Sequence, residues 1–449
     1  MKIIIAGAGE VGFHLAKLLS YESQDITLID TNKESLAYAD NHLDIRVLKG
    51  DATSIAVLKD AQVENSELVI GVTSSETTNI TLCMLAKQLG CERTIARISN
   101  TEFIDCKDTI KFDELGIDEL ISPEELAATE IQMLLNKSAF NDTFEFEEGK
   151  LIMVGVSLPT TAPFVGKMVK EAAKIFSELH FMPIALKRMG TQYTVIPRGD
   201  TVFKEGDQVY FITLKEGVDE LYKLTGKKKE EIKNVMILGG SKVGFKAARD
   251  LCAEKYNVKL IEKNKEKAFD LADDLPTALV INGDGRNVEL LEEESLESMD
   301  AFVAVTGNSE TNIMSCLVAK SKHIKKTIAL VENMDYFQLS HSIGIDTLIN
   351  KKLLAANNIF KHIRKGEVVA SMRLNNLNAE ILEFIVKPNS RVTGSVIREL
   401  NFPKMATIGG VYRDGEGIIA LGGFKIEEGD RVVVCCLPEA IPKIERLFL

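Results

Sequence analysis

The 449-residue sequence is short of several features, and each shortage closes off a class of function. The longest charge-free run, Leu151 to Gly166, has 16 residues and carries Pro159, Pro163, Ser157 and two threonines, whereas a bilayer span needs roughly 20 mostly apolar residues. No cleaved leader is expected either, because Ile3–Ile5 near the N-terminus reads as a strand. The seven cysteines (Cys83, Cys91, Cys106, Cys252, Cys316, Cys435, Cys436) are odd in number and form no C-x-x-C pair. That favours a reduced, cytosolic setting over a disulfide framework. Cys435 and Cys436 lie in the apolar run Val432–Leu437 and read as core packing. The six histidines are scattered with no H-x-x-x-H pair, so no metal site is expected. Lys and Arg number 54 against 66 Asp and Glu, a net charge of −12, which argues against nucleic acid as the main partner. Also missing are a Tyr-x-x-x-Lys relay, a His placed with an Arg for a 2-hydroxy acid, and a G-x-S-x-G elbow.

What is present begins at the first residues. Lys2-Ile-Ile-Ile-Ala-Gly-Ala-Gly-Glu-Val-Gly12 joins an apolar run of strand length to three glycines at G-x-G-x-x-G spacing, Gly7, Gly9 and Gly12. This spacing predicts a strand turning sharply into a helix. Gly7 makes the turn, Gly9 admits a phosphate to the backbone, and Gly12 lets helix and strand pack closely. Unpaired N–H groups at the helix start then suit an anion.

The second half restates the first. Val235–Gly244 echoes Ile3–Gly12, with Gly239 answering Gly7 and Gly244 answering Gly12 at an offset of 232. Leu260-Ile-Glu262 answers Leu28-Ile-Asp30 at the same offset, and Gly283-Asp284 answers Gly50-Asp51 at 233. Thr306 and Asn312 answer Thr73 and Asn79, again at 233, and Gly344–Ile349 answers Gly116–Ile121 at 228. The chain is a tandem duplication.

Each half divides again. Residues 1 to about 120 alternate short Val/Ile/Leu-rich runs with amphipathic helices, indicating a parallel sheet covered on both faces, followed by a helix from about Pro123 to Asn136. From Phe144 the texture changes to alternating strands, a helix at about Gly166–Leu179 and turn chemistry such as Pro197-Arg-Gly-Asp200. The fold class is therefore α/β, two tandem Rossmann-type doubly wound parallel-sheet domains, each followed by a small α+β lobe. Expected boundaries are 1–140, 141–225, 232–365 and 366–449, with Gly226–Lys233 as a charged connector.

Candidate nucleotide-binding residues follow from this frame. Asp30 ends the second strand, 18 residues beyond Gly12, where a Rossmann domain holds the adenosine ribose. It favours NAD(H) over a 2′-phosphorylated ligand, or else it starts a turn or caps the helix at Lys33. Asp51, beside Ala52, either caps the helix near Ser54 or approaches the adenine. Thr73 lies above the same crevice, and Asn79 reads equally as a helix cap. Arg97 either counters a phosphate or pairs with Asp51 or Glu76. Within the glycine turn, Ala8, Glu10 and Val11 complete the first site. The second comprises Gly239, Gly240, Ser241, Lys242, Val243, Gly244, Glu262, Asp284 and Thr306. Ser241 stands where the first copy has Gly9, and Leu330 where it has Arg97, so the second site is expected to bind a dinucleotide more weakly or to take another nucleotide. A cofactor pocket without an acid or base points to a sensor; the competing readings are an NAD-dependent oxidoreductase with an unrecognised catalytic group and an NADH-responsive repressor.

On Gly7-x-Gly9-x-x-Gly12, Asp30, Gly50-Asp51, Val72-Thr73 with Asn79, Arg97 and the Gly-Asp-containing lobes, present twice, the whole chain resembles the nucleotide-binding regulatory subunits of Trk-type potassium uptake systems, with tandem RCK/KTN domains. The resemblance implies a non-enzymatic protein, peripheral on the cytoplasmic face of the plasma membrane. It implies binding of NAD(H) and of adenine nucleotides such as ATP and ADP, and assembly as a homotetrameric ring beneath a membrane-embedded potassium-translocating partner.

Overall fold

The computed structural model describes residues 1–20, 24–100, 102–106, 109–136, 142–175, 180–188, 191, 193–224, 232–333, 336, 344–363, 368–373 and 377–448. These group into two compact units, each drawn from both halves of the chain: Met1–Ile131 with Asn234–Ile363, and Gln132–Lys233 with Arg364–Leu449.

The first unit holds two six-stranded sheets. In one, β1 (Lys2–Ala6), β2 (Asp25–Asp30), β3 (Arg46–Lys49), β4 (Leu68–Gly71), β5 (Arg93–Arg97) and β6 (Glu119–Ile121) take the order β3-β2-β1-β4-β5-β6. All its pairs are parallel. Ile3, Ile4 and Ile5 are all buried because helices cover both faces, which is why a parallel central strand reads as an unbroken apolar run. The strand order reverses between β1 and β4, and the crevice at their carboxyl ends is where doubly wound sheets bind ligands. Side-chain caps start the flanking helices: Asn32 accepts from Glu34 and Ser35 N–H ahead of Lys33–His42, and Ser75 accepts from Thr78 N–H ahead of Glu76–Gln88.

In the second unit's first lobe, β7 (Asp142–Phe146), β8 (Leu151–Ser157), β9 (Phe181–Lys187), β10 (Thr194–Val195) and β11 (Gln208–Thr213) form an antiparallel sheet. The second Rossmann sheet repeats the first, with β12 (Asn234–Leu238), β13 (Asn257–Glu262), β14 (Leu279–Asn282), β15 (Ala301–Ala304), β16 (Lys326–Leu330) and β17 (Thr347–Ile349) in the order β14-β13-β12-β15-β16-β17. The last lobe contains β18 (Val368–Arg373), β19 (Glu380–Ile385), β20 (Ala406–Arg413), β21 (Glu416–Ile418) and β22 (Arg431–Cys436).

Within each unit, like packs on like. The helix Glu10–Ser20 of the first Rossmann domain packs on the helix Lys351–Ile363 of the second, and Ala355, Ile359 and Phe360 share a core with Leu15 and Leu19. The lobes likewise share a core that includes Tyr210, Ile212, Ile381 and Cys435. Arg198 reaches from one lobe to the other, donating to the carbonyls of Pro403, Lys404 and Ala406.

The structure departs from the sequence reading in two places. The expected helix Gly166–Leu179 is only Val169–Ala172 followed by a 3-10 turn, Ala173–Ile175, and 176–179 lie outside the described residues. A sixth parallel strand, β6 in the first sheet and β17 in the second, lies at one edge, and its three residues are too short for periodicity to register. Of the connector Gly226–Lys233, only the last two residues are described.

Candidate functional site

The first glycine turn forms as its spacing requires. Gly7 has φ +111° and sits against the backbone of Val72 and Thr73; a Cβ on Gly12 would lie 1.8 Å from the Gly7 carbonyl oxygen. Gly9 differs from both, because a Cβ there would meet nothing within 4 Å. The turn therefore faces open space at the N-terminus of the helix Glu10–Ser20. That space is a cleft of about 520 Å³ lined by Gly7, Gly9, Glu10, Val11, Asp30, Asp51, Ala52, Thr73 and Arg97. Nine of the first-site candidates thus come together there, with Ala8 and Gly12 in the turn behind them.

Their individual roles differ from several of the alternatives that the sequence left open. Asp30 Oδ2 accepts from Ala8 N–H (2.6 Å) and Oδ1 from Asn32 N–H (2.8 Å). It braces the turn, and Asn32 rather than Asp30 caps the following helix. Asp51 neither caps Ser54 nor pairs with Arg97. Its Oδ1 accepts from the backbone and the hydroxyl of Thr53, both at 2.8 Å, and these bonds hold its carboxyl below the ordinary aspartate value. The Thr73 hydroxyl is engaged internally, donating to Asn79 Oδ1 (2.7 Å). Asn79 is no cap. It is buried inside its helix, accepts from Thr73 N–H, and donates through Nδ2 to the carbonyls of Thr73 and Arg97. It clamps the ends of β4 and β5 together.

Arg97 pairs with neither Asp51 nor Glu76. Glu76 accepts instead from the N–H groups of Ser99 and Asn100, both at 2.9 Å. Those bonds, the Ser99 one foremost, and the charge of Lys242 hold its carboxyl below the usual range against the effect of burial. Arg97 Nε is buried with no hydrogen-bond partner, an unusual state for a cation, and the residue lines the cleft.

The second turn repeats the backbone, with a serine where the first has Gly9. Gly239 has φ +105°, and a Cβ on Gly244 would lie 2.0 Å from Gly239 O. Ser241 caps the helix Lys242–Ala253, accepting from Gly244 N–H (3.2 Å) while donating to Val305 O (2.7 Å). Its hydroxyl therefore satisfies an N–H for which Gly9, having no side chain, offers no acceptor. Glu262 repeats Asp30, accepting from Gly240 and Asn264 N–H. Asp284 departs from Asp51. The Arg286 guanidinium grips it and Lys263 Nζ lies 3.0 Å away, so its carboxyl is held well below the ordinary value, chiefly by Arg286. Thr306 and Asn312 repeat the clamp, the latter donating to Leu330 O (2.8 Å). Lys242 leaves its own turn and donates to Ser99 O (3.0 Å) beyond β5 of the first sheet. Val243 is buried.

Sequence reasoning did not name several residues that line the first cleft, among them Ser35, Ser75, Thr78 and Lys352. Lys352, in the first turn of the helix Lys351–Ile363, lines it from the other half of the chain. Its Nζ lies 2.6 Å from Glu10 Oε2 and 3.0 Å from Glu332 Oε2. Burial alone would lower its pKa, but the two carboxylates raise it above the ordinary lysine value. Position along the chain, 342 residues from Glu10, gives no sign of this meeting.

The TrkA-N domain family matches residues 3–123 and 235–351, and the TrkA-C domain family matches 153–226 and 381–449. Over 100% of both chains the sequence is 32% identical to the Trk system potassium uptake protein TrkA homolog 1 of Methanosarcina mazei. It is 34% identical to the Trk system potassium uptake protein TrkA of Haemophilus influenzae, over 100% of this chain and 98% of that protein. Among solved structures, the RCK domain of GsuK superposes with a TM-score of 0.61 at 17% identity, covering 100% of this chain and 94% of that one. The GsuK channel bound to NAD gives a TM-score of 0.61 at 17% identity over 100% and 78%. These structural likenesses establish the RCK fold. Among the described residues, no helix is long and apolar enough to cross a membrane.

Proposed function

The chain belongs to the TrkA family of Trk system potassium uptake proteins, and on that premise we propose that its first cleft is the nucleotide site through which it regulates uptake. In this family role it is a regulatory protein of potassium transport and not an enzyme. The observation that carries the site assignment is the pairing of an open turn at Gly9 with an unpartnered, buried Arg97 Nε across one cleft. Backbone N–H groups at a helix start and a fixed guanidinium suit the phosphates of a nucleotide. Asp30, at the end of β2, suits the ribose hydroxyls and disfavours a 2′-phosphate. The ligand is thus NAD(H) or an adenine nucleotide such as ADP or ATP. A protein of this fold, the GsuK channel, has been solved bound to NAD.

The site residues are Gly7, Gly9, Gly12, Asp30, Asp51, Thr73 and Arg97, with Asp51 and Thr73 shaping the rim through bonds of their own. The second turn, closed by Ser241 and with Asp284 already neutralised, has the lower affinity for a dinucleotide. The chain acts at the cytoplasmic face, on a membrane-embedded potassium-translocating subunit, as a homotetrameric ring. A ligand moves a gate only through unequal affinity for its two states. Reversing a 1:99 population takes roughly 5.5 kcal/mol, or about 1.4 kcal/mol from each of four equivalent sites, so the cleft regulates without binding tightly. The test is growth of potassium-uptake-deficient cells at low potassium, supplied with the matched membrane partner and either the wild-type chain or Asp30→Ala. Wild type restores growth and the variant responds abnormally; failure of the wild type to restore growth contradicts the reading.

A further inference from the structure

The charges around the first cleft do not match a simple anion site. Glu10 stands in the first turn of the helix whose N–H groups face the open space, and its carboxylate opposes any phosphate placed there. Lys352 neutralises it from the second Rossmann domain, at 2.6 Å, while also holding Glu332 at 3.0 Å. An ammonium has three donors, and Lys352 commits two of them to these carboxylates. Both carboxylates have somewhere else to go. The Glu10 side chain is 63% exposed and can turn to water, and Glu332 keeps Lys351 Nζ at 3.0 Å.

We propose that Lys352 is a phosphate-reading residue of the first cleft. It is held by Glu10 and Glu332 while the cleft is empty, and it transfers to the terminal phosphate of a bound adenosine di- or triphosphate. The inference rests on the nucleotide reading of this cleft and deepens it. A terminal phosphate carries more charge than the diester pyrophosphate of a dinucleotide, so Lys352 discriminates between the two ligand classes. Because it belongs to the helix that packs on Glu10–Ser20, the transfer also loosens an ion pair joining the two Rossmann sheets, which couples ligand charge to their contact. The second turn lacks the device. Lys242 occupies the position of Glu10 and Glu124 that of Lys352, at the repeat offsets 232 and 228, so the charges are exchanged.

The test is titration calorimetry of the full chain with NADH and with ADP, for wild type, Lys352→Gln and Glu10→Gln, alongside thermal melts. Lys352→Gln weakens ADP binding on the order of tenfold, as loss of one charge-assisted contact does, and weakens NADH binding less. Glu10→Gln acts in the opposite direction and tightens ADP binding, because it removes the competitor for Lys352. A merely structural ion pair predicts loss in both variants. The proposal is overturned if Lys352→Gln binds ADP as tightly as wild type, or if Glu10→Gln weakens binding. Should Lys352→Gln fail to fold, the sign of the Glu10→Gln effect decides. If wild type binds neither ligand, the nucleotide reading of the cleft falls, and this inference with it.

Discussion

Gly9 and Ser241 sit at equivalent turns in unequal surroundings. The first opens onto a cleft, while the second bonds Gly244 N–H and Val305 O with its hydroxyl. Because a Cβ at Gly9 meets nothing, Gly9→Ser should fold with a melting temperature no lower than wild type, the new side chain supplying a cap worth about a few tenths of a kcal/mol. Gly12→Ala, by contrast, places a methyl 1.8 Å from a carbonyl oxygen and should not give a stable chain. The cysteines allow a second check at this scale. Cys83, Cys91, Cys316, Cys435 and Cys436 are buried, whereas Cys106 and Cys252 are partly exposed. Burial pushes the Cys83 thiol up to about 12, far from the thiolate form that reacts. Titration of the folded chain with a maleimide should modify those two exposed thiols rapidly and the other five only on unfolding; rapid labelling of Cys435 or Cys436 would show that their strand is not core. The glycines, Asp30 and the core cysteines were legible in the sequence because local spacing dictates them. Lys352 was not, because the fold alone brings it to Glu10.

At the scale of elements, the recurring device is the Asn clamp. Asn79 and Asn312 each tie a helix to the ends of two adjacent strands, through bonds to Thr73 and Arg97 in one copy and Thr306 and Leu330 in the other. The sequence marked both residues through the repeat, yet their spacing near a helix start suggested a cap. Burial, which a single sequence does not display, decides the matter. Asn79→Ala leaves the Thr73 N–H without its acceptor and the Arg97 carbonyl without its donor, each worth about 1–3 kcal/mol when buried. Urea denaturation should show a loss of this size with Arg97 displaced and ligand affinity lowered. A change within about 0.5 kcal/mol, the usual range for surface substitutions, would mean that the clamp carries no weight. The helix Pro123–Asn136 carries Glu124 and Glu125 in its first turn, where acids favour the helix dipole. Those acids also face lysines of the second copy, Glu125 at 2.9 Å from Lys246 and Glu124 at 3.4 Å from Lys351.

In the molecule as a whole, the duplicated halves interleave, Rossmann domain with Rossmann domain and lobe with lobe. The tandem order was plain from the repeat offsets, but the pairing was not, because it depends on surfaces that lie far apart along the chain. Ion pairs mark the contact between the Rossmann domains, Lys352 with Glu10 and Lys351 with Glu124 among them, and Glu332 of the second domain holds both of those lysines from its own side. Burial raises its pKa, but Lys351 and Lys352 outweigh that and leave it below the ordinary glutamate value of 4.5. A depressed carboxylate contributes stability that is present above its unfolded pKa and lost as pH falls through its folded one. Thermal melts of wild type and Glu332→Gln should therefore differ by a constant margin well above the ordinary glutamate value of 4.5 and converge as the pH falls through the lowered folded-state value. A margin that grows on acidification would contradict the pairing.

The central proposal is that the glycine turn with Gly9 is the strong nucleotide site and the turn capped by Ser241 the weaker one. Calorimetric titration of the full chain with NADH, for wild type and Gly9→Ser, addresses it most directly. The account predicts about one strong site per chain in the wild type, and its loss in a Gly9→Ser protein that melts normally, by analogy with the capped helix start at Ser241. Two equal sites per chain, or undiminished binding by a folded Gly9→Ser protein, would contradict it.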